Sequence, residues 1–361
     1  IESFPSMDHL ITRIEEGDPQ LTSVALTSEC ESRDQLERLL AALEGSTIVD
    51  SIVFRESFFP LRRIREHLDR DDFLRMLHDV SWHVTDTLRL PPTMMGMVRG
   101  RLASLTVGPL VKHYHATEAI TFALESDVLA MAERFEDCTQ LESLELGDCY
   151  VARTRPPCLD PILASLTSHA SLTVLDLSCH AEQKIKEPLV TDAGLESLSL
   201  LSLQTLNLSR LGLQDEHFAI ISKLLQRTTT LQWLCLDGNR PSLVGLELLA
   251  DSLEQSSSTL IGLSLLEIWN TDKVNWNRLF PANWSLQHLE MNGGFSAFWL
   301  ELNQLGRAYW MQEELPLSMW PFVLESLSDS ANNLWYVLQT FPFLLDGAGR
   351  GPPASDALAN D

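Results

Sequence analysis

The chain of 361 residues is long enough for two average domains or for one array of repeats. Its 45% hydrophobic content excludes a disordered protein, and no apolar stretch approaches the roughly 18 uninterrupted residues of a membrane-spanning helix. The formal net charge of −24, from 26 Lys and Arg against 50 Asp and Glu, disfavours nucleic-acid binding and fits a basic protein partner better.

The first part of the chain contains loose copies of an apolar template, Leu-x-x-Leu-x-Leu. The first two copies start at Leu21 and Val49. A helix is predicted between them, over 32–44, because its leucines recur three and four residues apart and Gly45 stands where a helix would end.

The next copies are irregular. Another helix is predicted near 61–78, and further copies start at Thr85 and Leu102. These two starts lie only 17 residues apart, which is too short for an intervening helix. Residues 91–100 are therefore predicted to form a bare loop.

From residue 139 the copies become regular. Their starts are separated by 31, 31, 28, 29 and 26 residues, a regularity that chance rarely produces. The six copies start at Leu141, Leu172, Leu203, Leu231, Leu260 and Leu286. Helices are predicted near these copies over 117–135, 159–167, 191–199, 214–226 and 242–253.

The template indicates how the repeats fold. Side chains alternate between the faces of a strand, so template positions four and six point inward while positions three, five and seven point outward. One such strand cannot bury its leucines alone, whereas stacked repeats form a parallel sheet over one continuous core. A strand and a helix every 28 to 31 residues predict an α/β solenoid, with the curved sheet on the concave side and the helices on the convex side.

The array is predicted to occupy 1–295, irregular over 1–138 and regular over 139–295. Seven of the nine tryptophans lie beyond residue 268, and helices are predicted over 296–312 and 317–340. An array must shield its last leucines from water, so 296–346 is predicted to form a helical cap rich in tryptophan. The Gly/Pro/Ala-rich segment 347–361 is predicted to be disordered or to become ordered on a partner.

The phrases LESLELGDC, LQTLNLS and LQWLCLDGN resemble the strand and turn of the ribonuclease-inhibitor-like class of leucine-rich-repeat proteins. Cys149 and Asn239 stand in the column where that family places Cys or Asn. The resemblance covers roughly 20–295 and implies a horseshoe that binds proteins, usually through its concave sheet, without enzymatic activity. The segment containing Leu302-Asn303-x-x-Gly306-Arg307 is similar to a carboxy-terminal extension of uncharacterised leucine-rich-repeat proteins of single-celled algae.

The outward columns define a candidate partner-binding surface. They are polar and acidic between Glu145 and Glu290, with one large aromatic side chain among them, which is typical of an interaction hot spot with a charged surround. The alternative is that these positions are polar simply because water covers them. The predicted contact residues are Ser143, Glu145, Asp176, Thr205, Asn207, Trp233, Asp237, His288, Glu290 and Asn292.

Other patterns are weaker as sites. Neighbouring Glu145 and Asp176 could form an acid/base pair or a cation site, but a hydrated acidic ladder is favoured on an open sheet. The six cysteines lack the density of a disulfide scaffold and the CxxC spacing of a zinc site, so reduced and mostly buried thiols are expected. His113 and His115 are interpreted as surface residues. No catalytic, nucleotide-binding or metal motif occurs, and no cofactor is expected.

Three functions remain open at this point. The first is a non-catalytic scaffold or adaptor that docks a protein, possibly a basic one, on the acidic concave sheet or the Trp-rich end. The second is a permanent structural subunit of a larger complex, and the third is an inhibitor-type regulator of a basic enzyme. Because the chain opens with Ile1, a processed chain is considered, and the expected location is intracellular, cytoplasmic by default or organellar after loss of a targeting segment.

Overall fold

The structure, a computed structural model, describes most but not all of the chain. The described residues are 6–26, 33–54, 84, 86–89, 98–99, 107–116, 120–152, 156–180, 185–255, 259–280, 282–292, 298–307, 319–328, 330–341 and 344. The predicted helix near 61–78, the predicted strand residues 102–106 and the tail 347–361 lie outside them.

One long parallel sheet dominates the fold. Its strands follow one another in chain order, apart from three strands that form a second sheet, and equivalent template positions pair across each step, as Leu206 does with Leu234. The predicted parallel sheet with helices is thus confirmed. Within the described residues its ten strands are β1 (Ser23–Leu26), β2 (Ser51–Phe54), β3 (Thr87–Arg89), β5 (His113–His115), β7 (Ser143–Glu145), β9 (Val174–Asp176), β10 (Thr205–Asn207), β11 (Trp233–Cys235), β12 (Gly262–Leu265) and β13 (His288–Met291).

The copy predicted from Leu102 is wrong as a member of this sheet. Strand β3 pairs directly with β5, where Leu88 lies opposite Tyr114, so no strand lies between them. Tyr114 is fully buried and fills the place of the template leucine, while Val111 and Ala116 fill the flanking apolar positions. An aromatic ring occupies more volume than a leucine, and it packs edge-on against Phe135 in the core.

A second, three-stranded parallel sheet runs along the turns. It consists of β4 (Val98–Arg99), β6 (Ile120–Phe122) and β8 (Tyr150–Val151). Strand β4 lies in the segment predicted as a bare loop, and β6 lies inside the segment 117–135 that was predicted as helical. Both predictions are wrong for these strand residues. Their backbone groups form hydrogen bonds with the next repeat, which we call the neighbouring coil, and not within a loop or a helix.

Helices connect successive strands. In the array they are α1 (Met7–Glu15), α2 (Arg33–Gly45), α3 (Glu125–Asp137), α4 (Asp160–Leu166), α5 (Asp192–Ser197), α6 (Asp215–Arg227) and α7 (Leu243–Gln255). Their apolar faces join the strand leucines in one core, in which Leu144, Leu175 and Leu249 have no solvent exposure. Burying each such leucine contributes about 1.5–3 kcal/mol, so stacking supplies what a single coil cannot.

Carboxylates at the helix starts connect one coil to the next. Asp160 accepts hydrogen bonds from the backbone N–H and the hydroxyl of Thr191, the residue that caps α5. Asp215 accepts equivalent bonds from Ser242 and also from the backbone N–H of Gly245. At the starts of α5 and α7, backbone amides are thereby satisfied by a carboxylate of the preceding repeat, which ties the two neighbouring helices together.

The turns after four of the regular strands share one backbone conformation. At template position eight the φ angle is positive, between 53° and 63°, at Asp148, Arg210, Gly238 and Glu267. The next residue is buried, and where it is Asn239 its side chain donates to the carbonyls of two leucines and accepts from the N–H of a third. This one side chain therefore satisfies three backbone groups of the turns.

Three further helices follow the array: α8 (Phe298–Gln304), α9 (Trp320–Ser326) and α10 (Ala331–Thr340). The single helix predicted over 317–340 is two helices, because Ser330 accepts a hydrogen bond from the N–H of Asn333 and starts a new one. None of the described helices is long and apolar enough to cross a membrane.

A buried arginine joins these helices to the array. Arg307 donates to the carbonyl of Phe280 in the last coils and to the hydroxyl of Tyr336 in α10, and its guanidinium lies over the rings of Trp299 and Tyr336. Asn303 donates to the carbonyls of Asn283 and Leu286. Polar side chains of the Leu302–Arg307 motif therefore pair with backbone groups at the end of the leucine core.

Candidate functional site

The face of the long sheet that points away from the leucine core carries the candidate site, and we call it the open face. Seven of the ten predicted contact residues border one groove on this face, which encloses about 400 Å³. Those seven are Glu145, Asp176, Thr205, Asn207, Trp233, His288 and Glu290. The groove also includes Val174, Leu206, Leu234, Cys235, Gly262, Leu263 and Ser264.

Trp233 forms one wall of the groove. Its ring lies over Gly262 on the next strand, where an added Cβ would come within 2.2–3.0 Å of three ring carbons. Beyond Gly262 the ring stacks on His288, with centroids 5.3 Å apart and planes inclined by 25°. The side chain nevertheless remains 44% exposed, so a large aromatic surface faces solvent in a fixed orientation.

Asp176 lies in the floor of the groove and is held by neutral donors. Its carboxylate accepts from the amide of Asn207 at 2.9 Å and from the backbone N–H of Ser178 at 2.9 Å. The absence of a side chain at Gly147 makes room for it, because a Cβ there would lie 2.7 Å from Asp176 Oδ2. Burial raises the pKa of the Asp176 carboxyl above its ordinary value, although these hydrogen bonds act in the opposite direction.

Two more carboxylates lie toward the other end. Asp237, after β11, accepts from the hydroxyl of Ser264 at 2.7 Å and from the N–H of Leu266 at 2.8 Å. Glu290 on β13 is exposed, and the hydroxyl of Ser264 lies 3.4 Å from it. The partners of both acids are again uncharged.

Glu145 differs, because it is paired with a histidine that sequence reasoning left outside the site. His115 Nδ1 lies 3.1 Å from Glu145 Oε2 across neighbouring strands. The hydrogen bond with His115 lowers the pKa of the Glu145 carboxyl, and a second bond from Ser143 acts in the same direction. The available signal was the spacing of Val111, Tyr114 and Ala116, which places His115 at the fifth template position.

The remaining predicted contacts lie outside the groove. Ser143 is buried, so it can affect a partner only through its hydrogen bond with Glu145. Asp237 lies beside the groove, and exposed Asn292 follows β13, where its backbone carbonyl accepts from Thr271. All ten predicted contact residues therefore lie on the strands of the long sheet from β7 to β13 or directly after them.

The charge of the groove is uniformly negative. None of its lining residues is Lys or Arg, and among the described residues Asp176, Asp237 and Glu290 have no cationic partner at salt-bridge distance. Arg210, in the turn after β10, is paired with Glu267 at 2.9 Å. The groove thus combines an aromatic wall, strand backbone and two carboxylates, Asp176 and Glu290, that have no cationic partner among the described residues.

The described residues contain no group of three or more His, Cys, Asp or Glu placed to hold a metal ion. Buried Cys149 and Cys179 are free thiols with sulfur atoms 3.7 Å apart. The pKa of Cys179 is raised because its thiol bonds to Cys149 and is buried, so the thiol form is favoured there. These sulfurs lie in the turn that packs one coil on the next.

Comparisons with known proteins give little guidance. No family model and no curated protein match the chain. Among solved structures it is similar to a chain of the crystal structure of a TLR13–ssRNA13 complex, at 13% identity and a TM-score of 0.43, covering 79% of this chain and 33% of that one. It thus spans about a third of the TLR13 chain. A match to actin-binding site 2 of leiomodin-1 has 11% identity and a TM-score of 0.13, covering 96% of this chain and 100% of that one.

Proposed function

We propose that the chain is a leucine-rich-repeat solenoid of the ribonuclease-inhibitor-like class that acts as a non-catalytic protein-binding scaffold. Its partner docks in the groove of the open face through a basic segment. The observation that carries this proposal is the combination of a half-exposed, held Trp233 with carboxylates that have only neutral partners among the described residues. An inhibitor-type regulator of a basic enzyme would use the same groove.

Three physical arguments support this function. Interface hot spots are enriched in tryptophan that is well packed on one side and available on the other. Uncompensated carboxylates favour a cationic partner and repel an acidic one. The formal net charge of −24 would also speed the approach of a basic protein over longer distances.

The test is a capture experiment with variants of the whole chain. Proteins bound from the native source would be quantified by mass spectrometry for the wild type, for Trp233→Ala with Glu290→Lys, and for Glu133→Lys. We expect the groove variant to lose its salt-sensitive partners by at least about tenfold, since hot-spot truncation costs about 2 kcal/mol or more. Glu133 is exposed on helix α3 and lies outside the groove lining, so its reversal should leave capture unchanged. Equal capture by all three proteins would refute the groove as the docking site.

A second candidate, a permanent subunit of a larger complex, is favoured by the surface of the C-terminal helices. Phe322 on α9 and Trp335 on α10 are 65% and 62% exposed, which is unusual for aromatic side chains of this size. Light scattering on the protein purified from its native source separates the two functions. A stable complex of fixed stoichiometry that is lost in Phe322→Ser with Trp335→Ser would favour the subunit over the adaptor.

A further inference from the structure

We propose that the occupant of the groove is an arginine side chain of the partner, whose guanidinium stacks on Trp233 and pairs with one of the groove carboxylates. This inference rests on the proposed function, because it specifies the chemistry of the partner at the same site. It concerns one side chain, whereas the proposed function requires only that a basic segment docks there.

The first step concerns the shape of the aromatic wall. His288 stacks against one face of the Trp233 ring, and the backbone of Gly262 lies beneath the ring. Trp233 is nevertheless 44% exposed and lines the same groove as Thr205 and Val174. The exposed part of the ring offers a flat aromatic surface on which a planar group can stack.

The second step concerns charge. Asp176 on β9 and Glu290 on β13 border the same groove as the tryptophan, and neither has a Lys or Arg partner among the described residues. Asp176 is largely removed from water, so a cation beside it would compensate a charge that its neutral donors compensate only in part. An apolar occupant would remove water from these carboxylates without supplying a positive charge, and an acidic occupant would be repelled.

The third step separates arginine from lysine. Guanidinium is planar, stacks on an indole, and donates two parallel hydrogen bonds to a carboxylate, and it loses less hydration than an ammonium group. Lysine offers a compact and strongly hydrated charge that suits a carboxylate but gains less from a ring. A groove with one aromatic wall and several carboxylates therefore favours arginine.

The experiment uses capped peptides of one length that carry arginine, lysine or citrulline at the same positions in a Gly/Ser background. Affinity for the full chain is measured by fluorescence anisotropy at an ionic strength of about 0.1 M, where the Debye length is about 10 Å. We expect the arginine peptide to bind about tenfold more tightly than the lysine peptide, a difference of about 1.4 kcal/mol, because only the guanidinium both stacks on the ring and pairs with a carboxylate. Citrulline keeps the planar shape but lacks the charge, so its peptide should not bind measurably.

Two variants test the tryptophan separately from the fold. Trp233→Ala removes the ring, while Gly262→Ala keeps it but forces it off its present position because a Cβ would contact three of its carbons. Both should reduce arginine binding to the level of lysine. The matched control is Gly45→Ala, where a Cβ would meet no atom within 4 Å. This control should retain the preference for arginine.

The outcomes distinguish this inference from the function on which it rests. Equal affinity for arginine and lysine peptides, or a preference that survives both Trp233→Ala and Gly262→Ala, overturns the arginine proposal. So does the absence of binding by either peptide while the native partners are still lost in the groove variant of the capture experiment. In each of these cases the scaffold function would stand, because capture through the groove does not depend on the peptides.

Discussion

Glu145 and Asp176 occupy the same position on neighbouring strands, yet their surroundings shift their pKa values in opposite directions. The hydrogen bond with His115 favours the ionised form of Glu145, whereas burial disfavours the ionised form of Asp176. Because the pKa of Glu145 is lowered in the folded state, its ionised form stabilises the fold at any pH above the ordinary Glu pKa. This stabilisation is lost as the pH falls through the lowered pKa. For Asp176 the pH dependence is opposite. Its pKa is raised, so the ionised carboxylate at neutral pH destabilises the fold, and protonation at lower pH removes this destabilisation.

This difference predicts the effect of removing one histidine. In His115→Ala the pKa of Glu145 should rise toward its ordinary value, because the dominant hydrogen bond is lost. Carboxyl carbon chemical shifts followed by NMR as a function of pH measure this directly. His113→Ala is the matched control, since His113 lies 4.0 Å from Asp86 and is not a partner of Glu145. Identical Glu145 titrations in both variants would contradict the assignment.

Some residues of the site could be predicted from sequence and others could not. The columns from Glu145 to Glu290 follow from leucines that recur at regular intervals, so the residues facing outward were identified. The contact of His115 with Glu145 was not predicted, because Tyr114 and Ala116 replace the leucines of their coil and hide its register. Leu102 and Leu105 match the template better, although no strand of the long sheet starts there. Hydrophobicity alone does not reveal that a tyrosine ring can fill a leucine site, as Tyr114 does by packing edge-on against Phe135.

At the scale of elements, side chains pair with backbone groups wherever a regular element ends. Asp215 caps the next helix, Asn239 holds the turn, and Arg307 joins the last coils to α10. Burial lowers the pKa of Arg307, but the carbonyl of Phe280 and two aromatic rings stabilise its charge. This arginine therefore pairs with a backbone carbonyl at the end of the array, where no further coil follows to pair with it.

Arg307→Met tests this role. Methionine has an unbranched, apolar side chain that can fill part of the space of the arginine. It makes neither of the two hydrogen bonds and lacks the guanidinium that contacts the rings. We expect the free energy of local opening of α8–α10 to fall by about 2–4 kcal/mol, because a buried hydrogen-bonded group is lost. Hydrogen exchange read by mass spectrometry should show reduced protection in α8, α9 and α10 and unchanged protection over 205–255.

Arg240→Met is the control for that experiment, since Arg240 is exposed in the turn after β11. Its exchange pattern should match the wild type. Equal loss of protection over both regions in Arg307→Met would mean that the C-terminal helices and the array open as one unit.

The element boundaries illustrate what periodicity can and cannot predict. Helices α4 to α7 begin within one residue of their predicted starts, because their leucine spacing and capping residues agree. The short strand β6 was predicted as helix, since its three residues pair only with other coils and leave no periodic pattern. The break between α9 and α10 depends on Ser330, which lies in a polar stretch between two apolar stretches that were read as one helix. The proposed boundaries of the array, the cap and the tail remain predictions.

For the whole molecule, the surplus of 24 negative charges should make stability depend on salt. Repulsion between like charges opposes the compact state and is screened as ionic strength rises. We expect the melting temperature to increase by a few degrees between about 0.05 and 0.5 M NaCl, as measured by calorimetry. Over the same range, capture of basic partners should weaken, because screening also acts between partner and groove. A melting temperature that falls with added NaCl would contradict this account.

The strict register of the strands has one more consequence. Residues 203–230 form one coil of 28 residues, bounded on both sides by equivalent template positions. Excision of that cassette would let Trp233 take the place of Thr205 beside Val174, and Cys235 would come to lie beside Asp176. Loss or duplication of a single coil would therefore change which side chains are neighbours in the groove without any point mutation. One such event is enough to give the groove a different set of contact residues.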